Sequence, residues 1–545
     1  MTSEHPIRNK IGTIIGGSFE RGLQVKLDTS VITEELPVDS FAIIQGTATV
    51  YFGMVTNITI ESAANPIQWS ALDITNRSVS ELLKGTTTYS MADVKPILSW
   101  NPQSEKAPTA AKTLPEPFSN VYTAAEYDIQ TIFGSDENSS HFAIGTPLDM
   151  DVNICLDIQQ LVERSSGVFG KAGTGKSFLT RLLLIGILKS GLATNLIFDM
   201  AGEYGWEGYS ESNTRVKGLK QLFPGKVAVF SLDSKSPIPN NRRPDATVSI
   251  PYSEIEPEDI KALQETLNLS DIAADAAYSL ERHLGQARWL KEFLEHNRAG
   301  LNQLSDDIGV NQSALATLHN RLGRLARLDF ISETGRFQSI QELLQYLENG
   351  RTVVLDFGPY ANNLTAYILM ANVLTRRIHQ QYRERKERAS GNKNEEPIPL
   401  VITIEEAHKF LNPSVAGQTI FGTIAREMRK YNVTLLVVDQ RPGAIDSEVM
   451  SQLGTKLTCL LDDDRDTDAV LAGTPARREL RSTISRLDSR QQALIFGHAV
   501  PMPIVIRTRE YGSEESYKSI GASPDSISTD EPNYELKQLF GDDEP

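Results

Sequence analysis

Cysteine is scarce in this sequence: there are two among 545 residues, Cys155 and Cys459. Each lies in an apolar, strand-like stretch, VNICLDI and KLTCLL, so we expect two buried thiols. A disulfide framework and a cysteine-based zinc site both need several cysteines at characteristic spacings. The composition therefore excludes both.

Long hydrophobic runs are also missing. Hydrophobic residues make up 40% of the chain and charged residues 23%, as is typical of soluble globular proteins. The run Leu182–Leu188 is far shorter than the ~20 residues needed to cross a bilayer. The first residues, MTSEHPIRNKIGTII, contain no apolar stretch of the kind that marks a secretory signal. We therefore expect a cytoplasmic protein with no membrane partner.

An excess of positive charge is the third absence. Lysine and arginine total 54 against 70 aspartates and glutamates, which gives a net charge of −16 and a pI of about 5.1. Such a balance argues weakly against nucleic acid as a partner, because phosphates are repelled at long range. A ring-shaped protein with locally positive charge inside a channel would escape this argument, so the net charge does not decide the question.

The length predicts two or three domains rather than one core. Residues 1–100 contain several short alternating strands, which predict a small β-barrel. Residues 101–140 are rich in proline and predict a linker. Residues 141–512 alternate buried-strand and helix patterns, typical of an α/β parallel sheet, with a polar helical insertion at about 253–347. Residues 513–545 form an acidic tail, either disordered or an arm that orders on a partner.

A phosphate-binding loop is the strongest motif. GKAGTGKS, residues 170–177, matches G-x-x-x-x-G-K-[ST] between an apolar strand and a leucine-rich helix. The glycines permit the turns that aim backbone N–H groups at phosphate oxygens, and the helix adds its positive end. Lys176 is predicted to contact the β- and γ-phosphates of ATP, and the Ser177 hydroxyl to bind Mg²⁺. The nucleotide contacts are predicted at Gly170, Lys171, Ala172, Gly173, Thr174, Gly175, Lys176, Ser177 and Phe178.

Two adjacent acids end a buried strand in LVITIEEAH. In a P-loop enzyme one such carboxylate holds Mg²⁺ through water and a neighbour polarises the attacking water. We assign the metal role to Glu405 and the base role to Glu406. The next strand, VTLLVVDQRP, places Gln440 as a candidate catalytic residue that contacts the γ-phosphate or the lytic water. Asp199, at the end of NLIFD, either helps to hold water or metal or caps its loop.

Arginine is the expected source of positive charge at the γ-phosphate. TIAREMRKYN places Arg426 and Arg429 three residues apart on one helical face, so either is a candidate to act across a subunit boundary. Arg164, just before the phosphate loop, is a weaker candidate. A second basic cluster is more typical of a solvated helix face than of a DNA site; it comprises Arg376, Arg377, Arg383, Arg385, Lys386 and Arg388.

Together these strings resemble the HerA branch of the HerA–FtsK superfamily of ring translocases. The discriminating pieces are the paired acids in ITIEEAH and the block IAREMRKYNVTLLVVDQRP, and the resemblance covers most of residues 8–510. It implies a barrel, a RecA-like motor with a helical insertion, and a C-terminal arm. The usual pattern differs at Ser165, Met428 and Asp439, where His, Gly and Ser or Thr are common, and near Asn432, where a Gly or other small residue is usual.

The resemblance implies a homohexamer that moves DNA, duplex more than single-stranded, through a central channel using ATP and Mg²⁺. It also implies a nuclease or sirtuin-like effector as partner, in DNA end processing or antiphage defence. The inter-subunit arginine of the family falls most plausibly on Arg429, and the segment 411–421 is a candidate channel lining. The alternative is an ATPase ring that assembles and regulates an effector protein without pumping DNA.

Overall fold

The computed structural model describes most of the chain. The described residues are 8–62, 88–104, 107–209, 215–233, 243–333, 338–389, 391–392, 395–409, 411–413, 421–422, 424, 428–474, 477–488 and 490–521. They divide into two compact units. The first unit comprises Met1–Asn138, Gly145–Leu156 and Val500–Ile506, and the second comprises Ser139–Ile144, Asp157–Ala499 and Arg507–Pro545.

The first unit is a closed barrel. Its strands and helix are β1 (Lys10–Ser18), β2 (Gly22–Leu27), β3 (Phe41–Gln45), β4 (Val50–Ser62), β5 (Thr88–Trp100), β6 (Thr109–Ala110), β7 (Asn120–Thr123) and α1 (Glu126–Phe133). The order β2-β1-β7-β3-β4-β5 closes because β2 also pairs with β5, at Leu23↔Val94. Alternating apolar residues fill the interior, where Val25 and Val94 are fully buried. Bulges in β1 and β4 add the local bending that closure of so few strands needs.

The barrel extends beyond residue 100, where the sequence pattern placed its end. Within residues 101–140, expected to be a linker, β7 pairs with both β1 and β3 and so completes the barrel wall. Its sequence, NVYT, is four residues long and follows several prolines, so it is too short for its alternation to stand out. The predicted class of an N-terminal barrel followed by an α/β domain is confirmed.

The second unit contains the parallel sheet and the α-helices that follow α1. Residues 145–156 and 500–506, which contribute to three of the strands given next, belong to the first unit. Strands β8 to β23 are His141–Thr146, Ile154–Asp157, Ser166–Phe169, Thr194–Asp199, Gly208–Tyr209, Arg215–Val216, Val227–Ser231, Ala246–Thr247, Ile250–Pro251, Ile331–Ser332, Thr352–Asp356, Leu400–Glu405, Val433–Asp439, Thr455–Thr458, Gln492–Gly497 and Ile504–Thr508. Helices α2 to α15 are Ile158–Val162, Lys176–Ser190, Leu219–Leu222, Pro257–Ala262, Asp271–Leu284, Trp289–Glu295, Arg298–Ile308, Gln312–Leu325, Gln338–Glu348, Leu364–Ala389, Ser447–Gln452, Asp464–Val470, Arg477–Ile484 and Glu514–Ser519.

Strand order in the second unit is that of a RecA-like motor. Neighbouring strands run β15-β14-β18-β11-β19-β20-β10-β21-β22. All pairings from β15 to β21 are parallel, and β22 is antiparallel to β21. The central strands are buried along their whole length because helices cover both faces, which explains their uninterrupted apolar sequences. The predicted RecA-like α/β fold is thus confirmed.

Helices α5 to α10 occupy most of residues 253–347, the segment in which the sequence predicts a helical insertion. Fully buried Trp289 fixes the start of α7, and its indole N–H donates to the carbonyl of Ile255 at 3.0 Å. In the expected acidic tail, α15 is described and residues 522–545 lie outside the described residues. Across the described ranges no helix is long and apolar enough to span a membrane.

Gly53 gives a test of the barrel. A Cβ at this position, beside the β4 bulge, would lie 2.6 Å from the backbone oxygen of Lys95. Gly53→Ala must therefore push β4 away from β5, and we expect a loss of ~1–3 kcal/mol of local stability. Hydrogen exchange of the β4 and β5 amides should accelerate accordingly.

The matched control is Gly323→Ala in α9, where the added Cβ meets nothing within 4 Å. It should leave barrel exchange unchanged and slightly stabilise its own helix. Unaltered exchange in β4 and β5 of Gly53→Ala would contradict the close packing of these two strands.

Candidate nucleotide site

The phosphate loop joins β10 to α3 at the carboxyl edge of the sheet. Gly170, Gly173 and Gly175 have φ of 156°, 83° and 90°, values that only glycine adopts freely. A Cβ at Gly170 would also lie 2.8 Å from the Cβ of Cys459, so the strand leading out of β21 crowds the loop. Such a run of turns, followed by a helix N-terminus, is an anion-binding arrangement.

A cleft of about 670 Å³ opens over this loop. Its lining comprises Lys171, Ala172, Gly173, Gly175, Lys176, Ser177, Phe178, Arg181, Ala201, Gly202, Glu203, Gly208, Gln440, Arg490 and Gln491. Of the nine predicted nucleotide contacts, Gly170 and Thr174 are not part of the lining. Thr174 is 2% exposed and its hydroxyl donates to the Lys171 carbonyl at 2.8 Å, so it braces the loop from behind.

Parallel register brings the predicted acids to the level of this loop. Phe169, the last residue of β10, pairs with Asp439 at the end of β20. On the other side of β20, Glu405 pairs with Val438. The acid-bearing strand β19 therefore ends one strand away from the phosphate-loop strand and at the same height. Ligands of doubly wound sheets bind at this edge.

Glu405 is a buried carboxyl group. It is 9% exposed, and its Oε1 accepts a hydrogen bond of 2.7 Å from the Tyr204 hydroxyl. Burial raises the pKa of Glu405 to about 8, and the neighbouring Asp199 carboxylate adds to this rise. The ammonium group of Lys176 lowers the same pKa, which places the lysine within electrostatic reach of the acid. Such a carboxyl group becomes a strong ligand once a cation is close enough to hold it ionised.

Asp199 caps the loop that follows β11. Its Oδ1 accepts the backbone N–H of Glu203 at 2.8 Å, and its Oδ2 accepts those of Tyr204 and Gly205 at 2.9 and 3.1 Å. Burial raises its pKa to about 6, although these backbone hydrogen bonds oppose the rise. Of the two roles open from the sequence, the contacts favour the structural one, and the loop in turn brings Glu203 to the cleft wall.

Glu406 has a strained backbone, with φ of 48°, and a side chain that is 30% exposed. The amide nitrogen of Gln440 donates to both of its carboxylate oxygens at 3.1 Å. Gln440 also lines the cleft, so it lies between the nucleotide site and this carboxylate. Non-glycine residues in this region of φ cost ~1–3 kcal/mol and are concentrated at functional sites.

His408 and Asp439 fix the turn that carries the acids. The carboxylate of fully buried Asp439 accepts the backbone N–H of His408 at 2.6 Å and that of Arg441 at 2.6 Å. The Nδ1 atom of His408 lies 3.0 Å from Oδ2 of Asp439, and this contact raises the histidine pKa. Asp439 therefore uses its acceptors within the chain, on the backbone of His408 and Arg441 and on the His408 ring.

Comparison with known proteins shows which family the chain is similar to. The family described as the central domain of helicase HerA matches residues 142–378. The DNA double-strand break repair helicase HerA of Pyrococcus furiosus is 24% identical over 432 residues, 72% of this chain and 76% of that protein. The helicase of the same name from Saccharolobus solfataricus is 23% identical over 531 residues, 95% of each chain. The chain is thus similar to the HerA-like P-loop ATPases, with the match to their central domain at residues 142–378. Among solved structures, VirB4 of Thermoanaerobacter pseudethanolicus aligns with a TM-score of 0.45 and 15% identity, over 70% of this chain and 99% of that one.

Two of the arginines predicted to act across subunits, Arg429 and Arg164, are not among the described residues that line the cleft. Arg429 is exposed, in the 3-10 turn Met428–Tyr431. Arg164 is also exposed, and its side chain covers Gly454. Arg426 lies outside the described residues, as do residues 414–420 of the segment proposed to line a channel.

The second basic cluster belongs to α11 and is neutralised by acids. Arg376 contacts Glu256 and Asp259, and Arg377 contacts Glu254. The remaining partners are Glu387 for Arg383, Glu348 for Arg385, Glu396 for Lys386 and Glu384 for Arg388. The basic side chains of this cluster are therefore engaged within the chain, and its interpretation as a solvated helix face rather than a DNA site stays a prediction.

Arg181, Arg490 and Gln491 are among the cleft residues that the sequence reasoning missed. Arg181, one turn into α3, is 5% exposed, lies over the adjacent rings of Phe178 and Tyr511, and donates to the Glu203 carbonyl. Arg490 and Gln491 stand just before β22. Because β22 runs antiparallel to β21, its first residues return to the carboxyl edge. The antiparallel direction of β22 cannot be read from the sequence. The sequence therefore gives no sign that Arg490 and Gln491 lie at the cleft.

The residues present fit a magnesium ion that is held mainly by phosphates. Among the described residues no group of three or more histidines, cysteines or acids forms a metal cage. Magnesium in P-loop enzymes needs none, because phosphates, water and one hydroxyl complete its shell. Ser177 lines the cleft, and the buried Glu405 carboxyl lacks a fixed cation other than the nearby lysine.

The burial of Glu405 predicts a pH dependence. Its folded pKa of about 8 lies above the ordinary value of 4.5, so between these values the folded state binds a proton that the unfolded state has released. Stability must therefore fall as pH rises through this window, by up to ~1.4 kcal/mol per pH unit. Glu405→Gln removes the titration and should flatten the fall. The melting temperatures of both proteins, free of nucleotide and magnesium, should converge or cross between pH 5 and pH 8; parallel curves would contradict the buried position.

Proposed function

We propose that this HerA-like ATPase is the ATP-dependent motor of a homohexameric DNA translocase or helicase. The observation that carries the proposal is the edge of the sheet where the phosphate loop, the Glu405–Glu406 pair and Gln440 converge. The names of the relatives, DNA double-strand break repair helicases, support DNA as the object that is moved.

We assign each residue one task in ATP hydrolysis. Lys176 contacts the β- and γ-phosphates, and Ser177 with Glu405 holds Mg²⁺, partly through water. The bound ion neutralises charge that develops on the phosphates. Glu406 orients the attacking water and accepts its proton. Gln440 donates its amide hydrogens to both Glu406 oxygens and contacts the γ-phosphate, so it links the position of the base to the presence of that phosphate.

Contact with DNA is proposed for the inner loops of the ring rather than for the α11 cluster, whose charges are engaged. Translocation needs contact with the sugar–phosphate backbone, not reading of the bases. The partner we propose is a nuclease or a sirtuin-like effector, in DNA end processing or antiphage defence. The net charge of −16 favours a second candidate, an ATPase ring that regulates such an effector without moving DNA.

ATP turnover with and without DNA tests the proposal. We expect hydrolysis to rise on addition of duplex DNA, and the stimulation to weaken with added salt because backbone contacts release counterions. Lys176→Ala should remove turnover under both conditions, since the lysine meets the phosphates directly. Turnover that ignores DNA at low salt but responds to a co-purified effector would favour the regulatory ring.

Arg429 is proposed to complete the site of the neighbouring subunit. Arg429→Ala should bind ATP normally but hydrolyse it roughly 10³-fold more slowly, as for other arginines supplied across an interface. Mixing it with Glu406→Gln subunits should restore part of the activity, because some sites then combine an intact base with an intact arginine. Lys430→Ala, the adjacent exposed cation over the Tyr431 ring, is the matched control and should be active. Absence of rescue at every mixing ratio would rule out action in trans.

A further inference from the structure

The cations of the nucleotide cleft fall into two groups. Lys171 is engaged in an ion pair with Asp462, with the two charged atoms 2.5 Å apart. Arg181 is engaged with the Glu203 carbonyl and two aromatic rings. By contrast, Lys176 and Arg490 make no side-chain hydrogen bond or ion pair within the part of the chain that the structure describes, although both line the cleft. Two positive groups are thus left facing a cavity beside an anion-binding loop.

The position of Arg490 follows from the sheet. The strand β21 pairs with the phosphate-loop strand, with Thr458 opposite Phe169. The antiparallel strand β22 pairs Leu494 with Thr458, so the chain just before β22 comes back to the level at which the phosphate loop begins. The reversed strand β22 extends the parallel part of the sheet, and its N-terminal end therefore lies at the edge where the nucleotide site is.

The backbone beside Arg490 is held in place. Gln491 has φ of 60°, a conformation unusual for glutamine, and its carbonyl accepts the backbone N–H of Thr508 at 2.8 Å. The backbone N–H of Asp488 donates to the side chain of Gln492 at 2.9 Å. The residues that follow Arg490 are therefore anchored, whereas the Arg490 side chain makes no hydrogen bond or ion pair with the described residues.

We propose that Arg490 binds the phosphate tail of the nucleotide in cis, as a second cation beside Lys176. This rests on the proposed ATP site and adds a residue to it. A triphosphate carries more negative charge than one divalent ion and one lysine neutralise, and a guanidinium group binds two phosphate oxygens at once. The group that binds the Arg490 guanidinium is thus the polyphosphate of the nucleotide rather than its base.

The test measures binding of a non-hydrolysable ATP analogue and of inorganic tripolyphosphate, which has no base, to the full chain in Mg²⁺. Arg490→Ala should weaken both by roughly 10- to 100-fold, the cost of losing a charge-assisted hydrogen bond. Arg490→Lys should retain part of the affinity. Arg486→Ala is the matched control: among the described residues the guanidinium of this nearby exposed arginine bonds to Ser482, and Arg486 is not among the residues that line the cleft.

Each other result has one meaning. Unchanged binding in Arg490→Ala overturns the inference, and so does weaker ATP-analogue binding with unchanged tripolyphosphate binding, because the arginine would then serve the base. Lys176→Ala, measured in parallel, distinguishes failure of the proposed ATP site from failure of Arg490 as a second cation. If it weakens binding and Arg490→Ala does not, the ATP site stands and the second cation fails; if neither weakens binding, the ATP site itself fails.

Discussion

Strand register is the constraint on which the site depends. Hydrogen bonding between β10, β20 and β19 sets Phe169 opposite Asp439 and Val438 opposite Glu405. A slip of one residue would move every side chain of a strand to the opposite face of the sheet, where it would meet a different layer of helices. Packing of the apolar core therefore also sets the height at which the phosphate loop and the acids end. The chemistry of this HerA-like ATPase is positioned by the same hydrogen bonds that hold its core.

The adjacent acids Glu405 and Glu406 differ in burial, and this difference underlies their two proposed roles. Glu405 is enclosed under Tyr204 with a raised pKa, whereas Glu406 is partly exposed and held by Gln440. The positive φ at Glu406 turns the chain so that consecutive carboxyl groups meet different surroundings. A carboxyl in a dry pocket suits a cation, and one at the wet margin suits a water molecule. The difference between the two proposed roles thus comes from environment rather than from residue type.

Much of this was predictable from the sequence because it is local. Continuous apolar runs indicated buried parallel strands, and glycine spacing indicated the phosphate loop, and both features have the position expected. What required the structure is long-range. The four-residue β7 is a strand only because β1 and β3 flank it. The loop-capping contacts of Asp199 and the return of Arg490 to the cleft depend on pairings between segments far apart in the chain. No local pattern encodes them.

The acidic surface and the cationic cleft are compatible because charge acts locally here. The cations of α11 are paired with neighbouring acids, whereas Lys176 and Arg490 line the cleft without an ion pair among the described residues. The central claim is that Glu406 acts on a triphosphate held by the phosphate loop. Its most direct test is the nucleotide that stays bound to Glu406→Gln after incubation with Mg²⁺ and ATP and removal of free nucleotide. The account predicts intact ATP on the variant and ADP on the unaltered protein; ADP on both would contradict it.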